Sequence, residues 1–264
     1  MTLVTAVAAP DGIALAGESR TTHTRGAHHR ITSDNAVKLF QVEDVGVATY
    51  GLAMIGDHTI AGLTAEFQAS LPDPAPREAT ELATRLADFF DTRLKAKYPQ
   101  LTAAQGYPLG FIVAGYNGDG IGRVMEVRLP GPDVEELFST VDVGFAYRGQ
   151  TDVCDRMIFG VDWDRMDTLG LSVSANARTE LEKLEYHMIY PIALQDAIDL
   201  SAFFIRTTVD MQRFSDGTEG DPVGIPGCGG PVRVLAVTPD GALWIAPYTL
   251  TATAPAGVAE GGSF

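Results

Sequence analysis

The chain has 264 residues, of which 45% belong to the hydrophobic set and 20% are charged, so it has the apolar content to bury a core and is not a disordered chain. Nineteen Lys and Arg stand against 34 Asp and Glu, a formal net charge of −15. That balance repels nucleic-acid phosphates and anionic lipid surfaces and disfavours both as partners. No uncharged apolar run approaches the ~20 residues that span a bilayer. Cys154 and Cys228 form neither a disulfide framework nor a metal spacing and suit a reducing compartment. The first residues lack the basic and apolar regions of a signal peptide, since Pro10-Asp11-Gly12 interrupts them. A cytoplasmic protein is the expectation.

Residues 2–9 and Ile13–Gly17 read as two strands around the Pro10-Asp11-Gly12 turn. The polar stretch Ser19 to Asp34 reads as loop. Ala36–Gln41 and Val45–Tyr50 make a second hairpin, so the first fifty residues suggest a buried antiparallel sheet. From Gly51 the period changes. Ile55, Ile60, Leu63 and Phe67 fit a helix that stops at the proline-rich 71–76. Leu82, Leu86, Phe89, Phe90 and Leu94 form the apolar face of another, ending by Tyr98-Pro99.

Phe111–Tyr116 and Arg123–Leu129 are strands joined through Asn117-Gly118-Asp119-Gly120, a hairpin signal. Gly144–Tyr147 reads as a short strand and Thr151–Phe159 as a helix. Residues 176–188 and 192–213 read as two helices parted by Pro191. Ser215–Gly230, with six glycines and two prolines, reads as loop. Val232–Thr238 and Leu243–Ala246 form a last hairpin. Antiparallel hairpins split by helix pairs suggest an α+β fold with two sheets face to face and helices outside. One domain over 2–248 and a loosely ordered tail over 249–264 are expected.

If Met1 is removed, Thr2 carries both a hydroxyl nucleophile and a free amine. Such an amine has a reference pKa of about 7.7–8.0 and can serve as general base without a histidine. A neighbouring lysine ammonium keeps it neutral more of the time, and a carboxylate must hold that lysine. Glu18 at the end of the second strand and Lys38 at the start of the third supply this pair.

The segments TLVTAVAAPDGIALAGESRTT (2–22), SDNAVKLF (33–40) and VATYGLA (47–53) resemble the opening of a proteasome β-type subunit, of the N-terminal nucleophile hydrolase class, as in a bacterial relative. The resemblance implies a four-layer α-β-β-α sandwich and a threonine-type peptidase or amidase. It places Thr2 as nucleophile, Glu18 on the acidic position sixteen residues later, and Lys38 on the lysine position. Gly51 matches the glycine whose N–H forms the oxyanion hole. Thr22 matches the residue whose backbone pairs with an extended substrate, and Ala53 one lining the pocket before the cleaved bond. Gly149-Gln150-Thr151 resembles a turn near the nucleophile, with Arg148 where that turn supplies a serine. Asp210 matches the aspartate of a late motif whose serine is replaced by Arg213. Three roles stand open for Arg148: repelling basic substrates, binding a carboxylate, or pairing with Asp210.

The resemblance further implies self-association into a homo-oligomeric ring or helical array, a peptide or protein substrate, an unfoldase as possible partner, and no metal or organic cofactor. A non-catalytic assembly protein and a peptide ligase using the same Thr2 ester stand as alternatives. His23, His28 and His29 lack a third ligand at regular spacing and read as a polar loop. Asp152, Asp155, Asp162, Asp164 and Asp167 lack the pattern of a calcium loop and read as an acidic face. Neither cysteine has a histidine in a catalytic motif.

Overall fold

Strands β1 (Leu3–Ala9) and β2 (Gly12–Gly17) are buried along their entire length. Successive side chains of a strand point to opposite faces, so a strand without polar alternation is covered on both. The computed structural model, which describes residues 2–25, 28–187, 191–216 and 226–246, shows what covers them.

After these strands come β3 (Thr21–Arg25), β4 (His28–Ser33), β5 (Leu39–Val42), β6 (Val45–Gly51), β7 (Met54–Ile55) and β8 (His58–Thr59). Helices α1 (Ile60–Ser70) and α2 (Ala79–Lys97) lead to β9 (Leu109–Tyr116), β10 (Gly122–Leu129), β11 (Asp133–Ser139) and β12 (Gly144–Gly149). Helices α3 (Asp152–Phe159), α4 (Trp163–Thr168), α5 (Ala175–Glu182) and α6 (Leu194–Phe214) precede β13 (Arg233–Thr238) and β14 (Gly241–Ile245). One sheet runs β12-β1-β2-β13-β14 and the other β11-β10-β9-β6-β5, all neighbours antiparallel.

Between the sheets, Val4, Ala6, Ile13 and Leu15 pack against Leu39, Ala48, Ile112 and Val124. On the outer face of the first sheet, Leu3, Val7, Ala14 and Ala16 pack under Phe204 and Ile205 of α6. The small residues let that helix come close: Thr5 Oγ1 donates to the Ser201 carbonyl at 3.3 Å and Ser201 Oγ to the Ala14 carbonyl at 3.4 Å. On the second sheet, Leu82, Leu86, Phe90 and Leu94 of α2, four residues apart and so on one helix face, pack against Phe111, Val113 and Val127. Each such side chain fully removed from water contributes about 1.5–3 kcal/mol. The layers are therefore α-β-β-α, as expected for an α+β sandwich of two antiparallel sheets. No helix among the described residues is long and apolar enough to cross a membrane.

Several local expectations need correction. The stretch 19–34 is not all loop: Thr21–Arg25 and His28–Ser33 pair as a two-stranded ribbon. Its threonines favour strand, but a polar ribbon gives no apolar alternation to read. Ile55 belongs to the small β7–β8 hairpin rather than to a helix, which begins only at Ile60 behind the Thr59 cap, whose hydroxyl accepts from Gly62 N. The first fifty residues do not make one sheet: β1 and β2 lie in the first sheet, β5 and β6 in the second, and β5 starts at Leu39, not Ala36. β11 and α4 were not foreseen, and α5 ends at Glu182 rather than 188. The tail 249–264, Met1, the stretch 217–225 of the glycine-rich loop and the side chains of His28 and His29 lie outside the described residues.

Candidate active site

Five strand ends meet at one edge of the sandwich. Thr2 precedes β1, Glu18 follows β2, and Gly149 and Gln150 close β12. Lys38 precedes β5 and is held opposite β6, where Thr49 N donates to its carbonyl at 2.9 Å. Gly51 ends β6 two residues further on. Antiparallel pairing within each sheet, and the packing of one sheet on the other, thus bring together positions scattered over 150 residues of sequence.

Thr2 is buried. Gln150 N donates to its carbonyl at 2.7 Å. Gly149 adopts φ +104, and a Cβ there would collide with the Thr2 carbonyl oxygen, so only glycine lets β12 close over the start of β1. Gly51 is similar: at φ +87 its missing Cβ makes room for the Pro108 carbonyl, to which Leu52 N donates at 2.8 Å.

The Glu18 carboxylate, 1% exposed, is the hub. Its Oε1 accepts from Lys38 Nζ and, at 3.3 Å, from Leu3 N. Its Oε2 accepts from Arg20 N at 2.7 Å and from Gly229 N at 3.1 Å. Lys38 Nζ also donates to the Arg20 carbonyl. Lys38, 5% exposed, is therefore anchored beside the Thr2–Leu3 peptide through an oxygen it shares with Leu3 N–H. Burial pushes the Lys38 ammonium below its ordinary pKa, and the charge of Glu18 opposes that shift. The Lys38 ammonium compensates the buried charge of Glu18, and three backbone N–H donors satisfy its remaining lone pairs.

The loop before β13 completes this hub. Arg20 pairs with Asp34 at 2.6 and 3.0 Å, and its other nitrogen donates to the carbonyls of Pro226 and Cys228 at 3.4 and 3.5 Å. Arg20 thereby holds Asp34, Glu18's neighbourhood and the 226–230 loop as one piece, and it keeps the Asp34 carboxyl below the usual range. Cys228, buried, donates its thiol to Gln150 Oε1 at 3.5 Å, and its N–H donates to Gln212 Oε1 at 2.8 Å. Sequence reading missed Arg20, Asp34, Gln212 and the Cys228-Gly229 pair. The last gave a signal, a glycine-rich tetrad just before a strand, but backbone donors carry no residue signature.

Thr2, Glu18 and Lys38 are thus brought together; the remaining candidates fare differently. Thr22 is half-buried in the ribbon, opposite Ile31. Ala53 is exposed and its carbonyl accepts from Ile60 N at 3.0 Å. Asp210 is exposed on α6, on the side away from Thr208 and Gln212, which face Cys154 and Cys228. It does not reach the cluster. Arg148 does not pair with it: the guanidinium binds Glu126 at two points, 2.6 and 2.9 Å, and Tyr50 Oη donates to the same carboxylate at 2.5 Å. Glu126 shares the inter-sheet face of β10 with Val124. A lone carboxylate there demands a cation, which was the signal for Arg148's partner.

Neither a family model nor a curated protein matches this sequence. Among solved structures the fold is similar to Anbu (ancestral beta-subunit) from Yersinia bercovieri, with a TM-score of 0.55, 14% sequence identity, 92% of this chain covered and 86% of that one. The architecture is the proteasome-like one. At that identity the likeness concerns the fold alone.

Proposed function

We propose that this chain is a threonine-type hydrolase that cleaves peptide or other amide bonds, with Thr2 as nucleophile once Met1 is removed. The observation that carries the reading is the shared oxygen of Glu18, which fixes the Lys38 ammonium beside the first peptide of β1. In this mechanism the Thr2 hydroxyl attacks the carbonyl carbon while the Thr2 amine takes its proton. Lys38 disfavours protonation of that amine, and Glu18 orients Lys38. The oxyanion is received by Gly51 N–H, at the exposed end of β6. The amine then returns the proton to the leaving nitrogen, and water hydrolyses the Thr2 ester. The enzyme forms one domain over 2–248, acts as a homo-oligomer in the cytoplasm, and takes its extended substrate along Thr22 and past Ala53.

Intact mass of protein from its native host tests the first requirement, loss of Met1. A β-lactone or epoxyketone should then add once per chain, at Thr2, and not to Thr2→Ala. Methionine-free protein that neither forms the adduct nor cleaves any amide would overturn the hydrolase. The exposed position of Asp210 favours the second reading, a non-catalytic assembly protein, which predicts that result together with retained self-association.

A further inference from the structure

The direction of Gly51 N–H follows from how its strand is paired. Bonded and unbonded residue pairs alternate along an antiparallel ladder. Leu52 N donates to the Pro108 carbonyl, which fixes the phase: Tyr50, opposite Gly110, is the next bonded pair between β6 and β9. The Tyr50 carbonyl therefore points to β9. Gly51 N–H belongs to the same planar peptide and points the other way, to the side where Thr49 N binds the Lys38 carbonyl. Whatever holds Tyr50 thus aims the candidate oxyanion donor.

Tyr50 is held by more than its ladder. Its ring crosses β9 to reach β10, where Tyr50 Oη donates to Glu126 at 2.5 Å. Gly110 opens this path, since a Cβ there would overlap the Tyr50 ring. Glu126, 1% exposed, also accepts from Arg148 Nε at 2.6 Å and from Nη2 at 2.9 Å. Arg148 lies on β12 of the facing sheet, and its remaining nitrogen donates to the Tyr147 carbonyl at 2.9 Å. A buried ion pair is weak evidence for stability, because well-packed apolar residues often serve as well. This pair spans two sheets and ends one residue before Gly51 on one side and one residue before Gly149 on the other.

We propose that Glu126 is a positioning residue for the hydrolysis, setting the separation between Gly51 N–H and the Thr2 hydroxyl. It holds the first through Tyr50, and the second through Arg148 and the Gly149-Gln150 turn, whose Gln150 N–H binds the Thr2 carbonyl. It touches neither the substrate nor a reacting atom. Its effect belongs to the transition state, because an oxyanion donor acts only at about 3 Å from where the charge develops. A displacement of that donor on the order of an ångström slows the reaction roughly 100-fold. Binding of the substrate before reaction does not use the Gly51 N–H to the same degree and is spared.

The inference rests on the hydrolase reading, so its test needs an arm without turnover. The first arm follows amide hydrogen exchange in the full-length chain at Leu52 and Gln150, whose N–H groups are bound to Pro108 and Thr2. Tyr50→Phe deletes one hydroxyl and should speed exchange at Leu52. Arg148→Met should speed it at Gln150, and Glu126→Gln at both, while Val7 in the middle of β1 keeps its protection. Equal acceleration at Val7 would make Glu126 merely structural and overturn the proposal. The second arm treats methionine-free protein with a β-lactone over a range of concentrations, which separates the saturation constant from the limiting rate of Thr2 acylation. Tyr50→Phe and Arg148→Met should each lower the limiting rate about tenfold or more and leave the saturation constant within about twofold. In the Glu126→Gln background neither should slow it further, because both act through the same carboxylate. Additive losses, or a loss carried by the saturation constant, overturn the positioning role. Selective exchange at Leu52 and Gln150 in a chain that no β-lactone labels would leave the tie between the sheets standing and overturn the hydrolase instead.

Discussion

Arg148 and Glu126 join the two sheets at the edge where Thr2 lies. Arg148 sits on β12 of one sheet, directly before the glycine that closes over Thr2, and Glu126 sits on β10 of the other. Tyr50, directly before Gly51, donates to the same carboxylate. One buried charge therefore keys the strand that closes over Thr2 to the strand that ends in the candidate oxyanion donor.

Glu126→Gln should loosen this tie. The amide keeps the shape but loses the charge and one acceptor, at a cost of about 1–3 kcal/mol. The pH dependence is diagnostic. Burial pushes the Glu126 carboxyl up, but hydrogen bonds from Arg148 and Tyr50 and the charge of Arg148 overcome it and hold the group below its ordinary value. A carboxyl depressed in the folded state stabilises fully above its unfolded pKa of about 4.3, and that stability is lost as pH falls through the lower folded value. Urea titrations at a series of pH values should therefore show a steeper acid loss in the wild type than in Glu126→Gln. Parallel curves would mean that the pair contributes nothing to the folded state.

The hub at Glu18 distinguishes length from charge. Glu18→Gln places an amino group against at least one pair of donors, Lys38 Nζ and Leu3 N or Arg20 N and Gly229 N. It also leaves Lys38 as a buried charge without its counter-ion, a loss on the order of 3–5 kcal/mol. Glu18→Asp keeps the charge but shortens the arm by about 1.5 Å, one C–C bond. It should retain more stability than Glu18→Gln. Because Lys38 shifts with it, Thr2 labelling by a β-lactone should slow by roughly 100-fold, the scale of an ångström-sized misplacement. Equal labelling rates in wild type and Glu18→Asp would remove Glu18 from the positioning role.

These two residues also show where the sequence was readable. β1 and β2 announced themselves because sheet and helix cover both faces, leaving uninterrupted apolar runs. α2 did so because Leu82, Leu86, Phe90 and Leu94 recur at helical spacing. Glu18 and Lys38 stood out by their distance from Thr2 and by resemblance. β11 was hidden because its Val134, Glu135 and Glu136 are partly or fully exposed on a sheet edge and follow no apolar period. The acceptors and donors that complete the site are mostly main-chain groups, at Leu3, Arg20, Gln150 and Gly229, and main-chain groups look alike at every position. Asp210 was misplaced because a short motif on a long helix does not fix which face it occupies.

Gly149→Ala and Gly51→Ala test the two close approaches. Both positions have φ between +87 and +104, where an L side chain is strained, and each Cβ would strike a carbonyl oxygen, of Thr2 or of Pro108. The conformational strain alone is about 1–3 kcal/mol. Gly149→Ala should displace Thr2 itself and abolish its labelling even where the chain remains folded by circular dichroism. Gly51→Ala should act on turnover more than on binding, since it disturbs the candidate oxyanion donor. A fully active Gly149→Ala chain would show that Thr2 is not held by β12.

The thiols offer a test that does not depend on turnover. Cys154 and Cys228 are both free and buried. Burial pushes the Cys154 thiol up to about 12, despite the hydroxyl of Thr208 beside it. Burial pushes the Cys228 thiol up further, with the Glu18 carboxylate adding to the shift and Lys38 opposing it. The thiolate is the reactive form, so neither group should react with a disulfide reagent at pH 8 while the chain is folded, and both should react promptly in guanidinium. Glu18→Gln removes the negative charge that raises Cys228 and loosens the Gly229 contact beside it. Its Cys228 should react measurably faster than in wild type, while Cys154, on α3 and packed against α6, keeps its protection. Equal acceleration at both cysteines would instead report general unfolding, and no acceleration at either would place Cys228 outside the electrostatic reach of Glu18.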